Sequence, residues 1–191
     1  MELELKHLAP YLPYGLKGIA YVSKDIALDY VDIIGCNRSE LYCEYTSERY
    51  KNMSGTRKWF DLYEVKPILL PISSLYTEME DGKVPMKVIG EMLEYDLKKY
   101  TYDDGDVFYG FDLTDASIPY KVPMEDREIY FIYFDSQSHW FYMVNQFLEV
   151  DSNCEHIPFS LEVADYLDSL HFDWRYGLID KGLALDKTKI K

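Results

Sequence analysis

The first third of the chain alternates between apolar and polar residues with a period of two. Ile26, Leu28 and Tyr30 take every second position of one such segment. This spacing puts successive side chains on opposite faces of a half-buried strand. The pattern predicts a meander of short strands at residues 16–23, 26–34, 40–46 and 56–62, with turns at residues 35–39 and 52–55.

The next stretch, residues 66–86, is rich in turn signals. Pro67 and Pro71 bracket an apolar run, and proline cannot donate a ladder hydrogen bond, so we expect this run to lie outside the centre of any sheet. Ile72–Leu75 follows as one helical turn. Asp81–Gly82 then separates two short runs, and glycine supplies the positive φ of a type I′ turn, which predicts a small hairpin over residues 77–86.

Two later segments have helical periodicity. In Met86–Tyr100 apolar residues recur three or four positions apart, with charged residues on the other face. The second helix begins at Ser160, a suitable N-cap, and loosens after His171, where a cationic imidazole suits the helix dipole. Gly182 suits the end of a further helical piece. In the second helix we expect a buried stripe and an outward row of carboxylates: Leu161, Ala164, Leu167 and Leu170 inside, Glu162, Asp165 and Asp168 outside.

The strongest strand signal is Glu128–Phe134, and His139–Val144 returns as its partner after a turn at residues 135–138. Apolar side chains occupy both faces of this hairpin. We therefore expect it to be central in a sheet, and either covered on both faces or covered on one face and bound to a partner on the other.

Together these elements predict an α+β fold. Its parts are a mostly antiparallel sheet of short strands and two main helices, one of them C-terminal. A length of 191 residues with 48% apolar residues is enough for one buried core. We expect a single domain over residues 1–191, with a boundary near residues 64–72 as the alternative.

Charge is spread unevenly along the chain. The net charge is −14, but residues 1–66 hold ten acids and nine bases, so nearly all of it lies after residue 66. Between Glu128 and Asp180 there are ten acids and one base, Arg175. Such a field repels nucleic acid and anionic membranes and favours basic partners, or serves only to keep the chain from aggregating. Nineteen tyrosines add side chains that suit strands and binding surfaces equally.

Cysteine usage and hydropathy indicate the compartment. Cys36, Cys43 and Cys154 make an odd count, so reduced thiols are expected rather than a disulfide scaffold. No apolar run reaches the ~18 residues of a membrane span. The first residues lack the pattern of a secretory signal. We expect the cytoplasm of a bacterial host cell.

Motifs for catalysis are absent from the sequence. It has no glycine-rich phosphate loop, no G-x-S-x-G and no H-E-x-x-H. We assign no catalytic residue, no cofactor-binding residue and no metal ligand. Four groups are considered and set aside. They are Cys36, Cys43, Cys154 and His156 as the ligands of a zinc site, Cys154 with His139 or His156 as a nucleophile, His171 with Asp173, and the acidic loop Asp103–Asp115 for a divalent cation.

Three segments carry a resemblance. They are HLAPYLPYGLK at residues 7–17, VKPILLPISSL at residues 65–75 and LHFDWRYGLIDKGLALD at residues 170–186. They are similar to a group of small uncharacterised proteins encoded in phages and prophages of gut Bacteroides-type bacteria. The resemblance covers under a quarter of the chain and implies a phage-borne context in a bacterial cytoplasm, with no activity attached.

The functional expectation follows from these points. We expect a phage or prophage accessory protein that acts by binding another protein, either a host protein or a second copy of itself. Nucleic acid and membrane are not expected as partners. The alternatives are an acidic nucleic-acid mimic that inhibits a DNA- or RNA-binding protein, and an unfamiliar enzyme that uses a metal.

Overall fold

A computed structural model of the chain describes residues 2–23, 26–54, 56–102, 105–112, 128–135, 138, 140–149 and 160–190. Within this part the helices are α1 (Leu5–Leu8), α2 (Glu48–Ser54), α3 (Pro85–Met92) and α4 (Leu161–Ser169). The strands are β1 (Lys17–Ser23), β2 (Ile26–Cys36), β3 (Glu40–Tyr45), β4 (Arg57–Asp61), β5 (Val65–Leu69), β6 (Lys98–Thr101), β7 (Val107–Asp112), β8 (Ile129–Asp135), β9 (Trp140–Asn145) and β10 (Leu185–Asp186). None of these helices is both long and apolar enough to cross a membrane.

The predicted α+β fold is confirmed. Two sheets are present, and every strand pair is antiparallel except β10 with β5. The chain divides into two compact units. Unit 1 is Met1–Ile72 with Asp165–Lys191, and unit 2 is Ser73–Ala164. The expectation of a single domain stays a prediction.

Unit 1 is built on a six-stranded sheet in the order β10-β5-β1-β2-β3-β4. Its inner face follows from the period of two, because Leu41 lies opposite Phe60 and Val31 opposite Tyr45, and all four are buried. The predicted meander of four strands is therefore confirmed. The predicted turn at residues 52–55 is wrong, since helix α2 runs through most of it.

The proline-bracketed run is an interior strand of unit 1, which corrects the prediction that it lies outside the centre of the sheet. Strand β5 lies between β1 and β10, with Pro67 opposite Gly18. On its other side β10 is only two residues long and pairs with Ile68 and Leu69. The proline therefore precedes the residues that pair with β10, and its missing N–H costs no bond there.

The N- and C-terminal segments of unit 1 contact each other, and the C-terminal segment also bonds to the residue that follows β5. The Leu70 N–H donates to the His171 carbonyl and the Asp173 N–H donates to the Leu70 carbonyl, each at 2.9 Å. The Tyr11 hydroxyl, fully buried, donates to the Phe172 carbonyl at 2.9 Å. The three segments singled out in the sequence thus meet in one core, as residues 7–17, 65–70 and 170–186.

Unit 2 holds a four-stranded antiparallel sheet in the order β6-β7-β8-β9. The predicted hairpin of residues 128–144 is present as β8 and β9, and β8 lies between two strands as expected. Phe134 lies opposite Phe141, and both are buried on the same face as Ile132. Tyr133 lies opposite Tyr142 on the other face.

Helix α3 is shorter than the predicted helix over residues 86–100, because it ends in a Schellman motif. The Tyr95 N–H donates to the Gly90 carbonyl at 2.8 Å, and Glu94, at φ 65°, takes the left-handed position that usually holds glycine. Leu97 then packs against Gly90, where a Cβ would lie 2.5 Å from the Leu97 Cγ. The predicted hairpin over residues 77–86 is also wrong, because only its turn forms: the Gly82 N–H donates to the Met79 carbonyl and no strand flanks it among the described residues.

Helix α4 begins as predicted, with Ser160 Oγ accepting the Val163 N–H at 3.2 Å. Its buried side differs from the predicted stripe, because Leu161 is 78% exposed while Val163 is buried. Asp168 was expected to face solvent and is instead 4% exposed. Ala164 and Leu167 are buried as expected.

Candidate functional site

A groove of about 520 Å³ lies on one face of the sheet of unit 2. Strand β8 provides Tyr133 and Asp135 from alternate positions, so both side chains leave the sheet on the same side. Tyr142 and Val144 do the same on β9. Among the described residues the lining is Phe108, Tyr133, Asp135, Tyr142, Val144 and Leu148. The hairpin thus has one buried face, and its other face carries an aromatic groove beside the buried Phe131 and Val144. That a partner binds to this face stays a prediction.

Strand register arranges the three aromatic side chains of the groove. Tyr133 and Tyr142 are directly opposite each other in the β8–β9 ladder. In the β7–β8 ladder Gly110 lies opposite Phe131, and Phe108 is two residues from Gly110, on the same side of β7. Three rings therefore project from adjacent strands on one face of the sheet.

Other aromatic rings support Phe108 from behind. Its ring centroid is 5.5 Å from that of Phe131 and 5.3 Å from that of Tyr102. Phe131 is fully buried. The Tyr102 hydroxyl donates to the Gln146 carbonyl at 2.5 Å, which ties this cluster to the turn after β9. The wall of the groove is therefore held by packing and does not depend on an occupant.

The turn after β9 places an apolar side chain at the edge of the groove. Asn145 Oδ1 accepts the N–H groups of Phe147 and Glu149, at 2.9 and 3.0 Å. Leu148 has φ 62° and is 44% exposed. A branched residue in this region of backbone space is strained, and such strain is concentrated at functional sites. The turn therefore holds Leu148 in a strained backbone conformation with its apolar side chain partly exposed to solvent.

The electrostatics of unit 2 are strongly one-sided. Ser73–Ala164 contains nineteen acids and six bases, a net charge of −13, whereas unit 1 has fifteen and fourteen, a net of −1. Of the described residues that line the groove, Asp135 is the charged one, and its Oδ2 accepts the Ser138 N–H at 3.2 Å. The division of charge along the chain is therefore a division between the two units.

Two other cavities have lining residues with more charge. One, of about 680 Å³, lies in unit 2 against helix α3, and the other, of about 630 Å³, lies in unit 1. Acids and bases are mixed in both. Their charged members are Glu78, Lys83, Lys87, Glu91 and Lys99 in the first and Glu2, Arg38, Asp61 and Lys66 in the second.

The residues considered for metal or nucleophilic chemistry do not come together in the described part of the chain. Cys36 and Cys43 are free thiols in unit 1, and burial raises the pKa of Cys43 to about 12. No group of three or more metal-ligating side chains forms among the residues described. Several of the residues considered for these sites lie outside the described part of the chain: Asp103, Asp104, Asp115, His139, Cys154 and His156.

The charged residues of the C-terminal segment are structural. Asp168 accepts the Arg175 Nε and Nη2 groups at 3.1 and 2.7 Å and the Trp174 indole N–H at 2.9 Å. Asp173 accepts the Ile179 N–H at 2.6 Å, and burial raises its pKa. Burial lowers the pKa of His171, which disfavours its cationic form, so the expected cationic interaction with the helix dipole stays a prediction.

Sequence reasoning had singled out the β8–β9 hairpin but not Phe108 or Leu148. The sequence feature that could have indicated Leu148 is the pair Phe147–Leu148, because two large apolar residues stand side by side in a turn that starts at Asn145 and belong to no strand. No comparable feature marks Phe108. Among known proteins, no family model matches this chain, and neither a curated protein nor a solved structure is significantly similar to it.

Proposed function

We propose that this chain is a phage or prophage accessory protein of the bacterial cytoplasm that acts by binding a basic host protein through the groove of unit 2. The observation that carries the proposal is the groove itself, with three aromatic rings beside an exposed Leu148. Tyrosine and other aromatics are the residues that contribute most binding energy at protein interfaces. The phage context rests on the resemblance of the terminal segments.

Charge supports a partner that differs from the chain itself. Two copies of unit 2 brought face to face would each contribute a net charge of −13, and like charges across an interface oppose association. A basic protein would instead be attracted and oriented by the same field. A host protein is therefore favoured over self-assembly, and nucleic acid and membrane are disfavoured for the same electrostatic reason.

The proposal is tested by quantitative capture from the lysate of a gut Bacteroides-type host. The bait is the whole chain, compared with the double variant Tyr133→Ser/Leu148→Ser. The control is Tyr63→Ser, which removes a side chain that is 81% exposed in unit 1. We expect a basic protein that the wild type and the control retain and the double variant loses. Equal retention by all three would contradict docking in the groove.

A second candidate function, acidic mimicry of nucleic acid, is favoured by the concentration of charge in unit 2. Of the carboxylates expected to face outward on α4, Glu162 and Asp165 are exposed, but Asp168 is buried against Arg175 and cannot present its charge to a partner. Competition separates the two functions. A mimic is displaced from its partner by duplex DNA or by RNA, whereas a groove-bound partner is retained in their presence and is released by the groove variant.

A further inference from the structure

The cavity of about 680 Å³ in unit 2 has one wall from helix α3 and another from the sheet. Its lining residues at and after the start of α3 recur at helical spacing: Val84, Lys87, Val88 and Glu91. Lys99 of β6 and Tyr109 of β7 line it from the sheet, and they are directly opposite each other in the ladder. Opposite residues leave a sheet on the same face, with their Cβ atoms about 5 Å apart.

Three lysines line this cavity from three different elements. Lys83 comes from the turn before α3, Lys87 from α3 and Lys99 from β6. None of the three forms an ion pair among the described residues, although unit 2 contains nineteen acids and six bases. Half of the bases of unit 2 therefore lie at one cavity, with ammonium groups that have no counter-ion in the described part of the chain.

The Tyr109 hydroxyl is a further unsatisfied group at the same cavity. Tyr109 is 3% exposed, and its hydroxyl forms no hydrogen bond to another described residue. Burial raises the pKa of Tyr109, and the Glu78 carboxylate raises it further, so the hydroxyl keeps its proton and can donate it. A buried hydroxyl without a partner costs free energy, and an oxygen of a bound ligand would remove that cost.

The distribution of charge favours a small anion over a polyanion. The described lining has three lysines and two glutamates, a net charge of +1, whereas the rest of unit 2 has seventeen acids and three bases. A nucleic acid would extend beyond the cavity onto these acids and be repelled. A ligand confined to the cavity is close to the lysines, and charges more than about 10 Å away are largely screened.

A phosphate group on a skeleton with hydroxyl groups would use the whole lining. A phosphate monoester carries up to two negative charges and three acceptor oxygens. Lysine side chains are long and rotatable, so ammonium groups from three elements can turn toward one phosphate. The carboxylates of Glu78 and Glu91 accept hydrogen bonds and do not donate them, so they suit ligand hydroxyl groups and oppose a second phosphate. A cavity of this size also has room for more than inorganic phosphate.

We propose that this cavity binds a small phosphomonoester with hydroxyl groups, as in a sugar phosphate. Lys83, Lys87 and Lys99 hold the phosphate, Tyr109 donates to a ligand oxygen, and the two glutamates accept the hydroxyl groups. Among the described residues the lining of this cavity shares no member with that of the aromatic groove. The site is therefore independent of the proposed function.

Three probes test the two parts of the ligand on the whole chain. They are ribose 5-phosphate, inorganic phosphate and ribose, each titrated at constant ionic strength and followed by amide NMR. We expect ribose 5-phosphate to shift the signals of the cavity residues, inorganic phosphate to bind about fivefold more weakly, and ribose to bind at least tenfold more weakly. If neither phosphate probe shifts these signals, or if ribose binds as well as ribose 5-phosphate, the proposal is overturned. Equal affinity for the two phosphate probes would refute the role of the hydroxyl groups.

Two neighbouring lysines of β6 provide a matched pair of variants. Lys98 and Lys99 are both exposed, but successive side chains leave a strand on opposite faces, and only Lys99 of the two lines the cavity. Lys99→Gln should weaken ribose 5-phosphate binding about fivefold, and Lys98→Gln, with the same loss of charge, should leave it within about twofold of the wild type. Equal weakening by both would show that the probe responds to net charge alone and would refute the site.

Tyr109→Phe tests the hydroxyl separately from the charge. The ring stays in place and the hydroxyl has no partner in the free chain to lose, so the urea midpoint should not fall. Ribose 5-phosphate should nevertheless bind about threefold more weakly, because one donor is lost. A lower urea midpoint would mean that the hydroxyl is already bonded in the free chain, and an unchanged affinity would mean that it does not contact the ligand. Either result would contradict the role given to Tyr109.

Discussion

Arg175 and Arg57 both pair with a carboxylate in unit 1, in surroundings that differ in burial. Arg175 pairs with Asp168, which is 4% exposed and also accepts the Trp174 indole N–H. Arg57 pairs with Glu44 at 3.2 Å on the outer face of the sheet. Arg175→Met leaves a buried carboxylate without its cation, so we expect the free energy of unfolding to fall by about 2 kcal/mol.

The matched control is Arg57→Met, which breaks an exposed pair and should change the free energy of unfolding by about 0.5 kcal/mol or less. Urea denaturation followed by fluorescence measures both. Losses of equal size would show that the buried pair of Asp168 stabilises the fold no more than the exposed pair of Glu44.

His171 should make stability depend on pH. Burial lowers its pKa from the ordinary 6.5, so the unfolded chain takes up a proton on acidification before the folded chain does. Stability is therefore lost as the pH falls below about 6.5. In His171→Asn the new side chain does not titrate, and asparagine tolerates the φ of 60° found here. As the pH falls from 7.5 to 5.5, the free energy of unfolding of this variant should therefore rise relative to that of the wild type. A stability difference that stays constant over this range, measured by urea denaturation, would contradict the assignment.

Leu148 should show a trade between stability and binding. Its φ of 62° is easy for glycine and strained for leucine. Leu148→Gly should therefore raise the free energy of unfolding by about 1 kcal/mol and weaken retention of the partner, because the groove loses an apolar wall. Phe147→Gly is the control, since Phe147 is 62% exposed but is not among the residues with positive φ, and it should give no stabilisation. A lower free energy of unfolding for Leu148→Gly than for the wild type would show that the backbone at Leu148 is not strained.

At the scale of elements, the end of helix α3 makes the clearest prediction. Glu94 occupies the left-handed C′ position with φ 65°, and glycine there removes the steric penalty. Glu94→Gly should raise the free energy of unfolding by about 1 kcal/mol. Glu91→Gly, three residues earlier and inside the helix, should lower it by about the same amount. Thermal unfolding separates the two, and shifts of the same sign would contradict the motif.

The elements that the sequence predicted correctly are those governed by local pattern. Strands β1 to β4 follow from alternation, and the start of α4 follows from Ser160. The predictions fail where the structure is determined by something outside the local apolar and polar pattern. Pro67 sits in an interior strand because β10, more than a hundred residues later, pairs only beyond it. Helix α3 ends early in a Schellman motif with Glu94 in the left-handed position, a position that usually holds glycine, so there is no stop signal in the sequence there.

The candidate site was predictable in part for the same reason. The β8–β9 hairpin carries apolar residues on both faces, which indicated either full burial or a binding face. The choice between them depends on Phe108, which comes from β7, and on Leu148, whose backbone is set by hydrogen bonds to Asn145. No periodic pattern links these residues, so the groove could only be recognised in the folded chain.

At the scale of the whole molecule, the division of charge has a testable consequence. Unit 2 carries −13 of the net −14, and association with a basic partner responds to the local field near the binding surface. If the total charge mattered instead, neutralising acids in either unit would slow association equally. The comparison needs two triple variants that lower the net charge by the same amount from different units.

The first triple variant is Glu80→Gln/Glu91→Gln/Asp96→Asn in unit 2, and the second is Glu2→Gln/Glu48→Gln/Asp180→Asn in unit 1, all at exposed positions. The probe is a labelled arginine-rich peptide, and stopped-flow fluorescence gives the association rate. At an ionic strength of about 0.1 M, where charges act over about 10 Å, we expect the first variant to associate about two- to threefold more slowly than the wild type. The second should match the wild type within error. Equal slowing by both would mean that the field is a property of the whole chain, and the near-neutral unit 1 would then contribute to recognition as much as the groove-bearing unit.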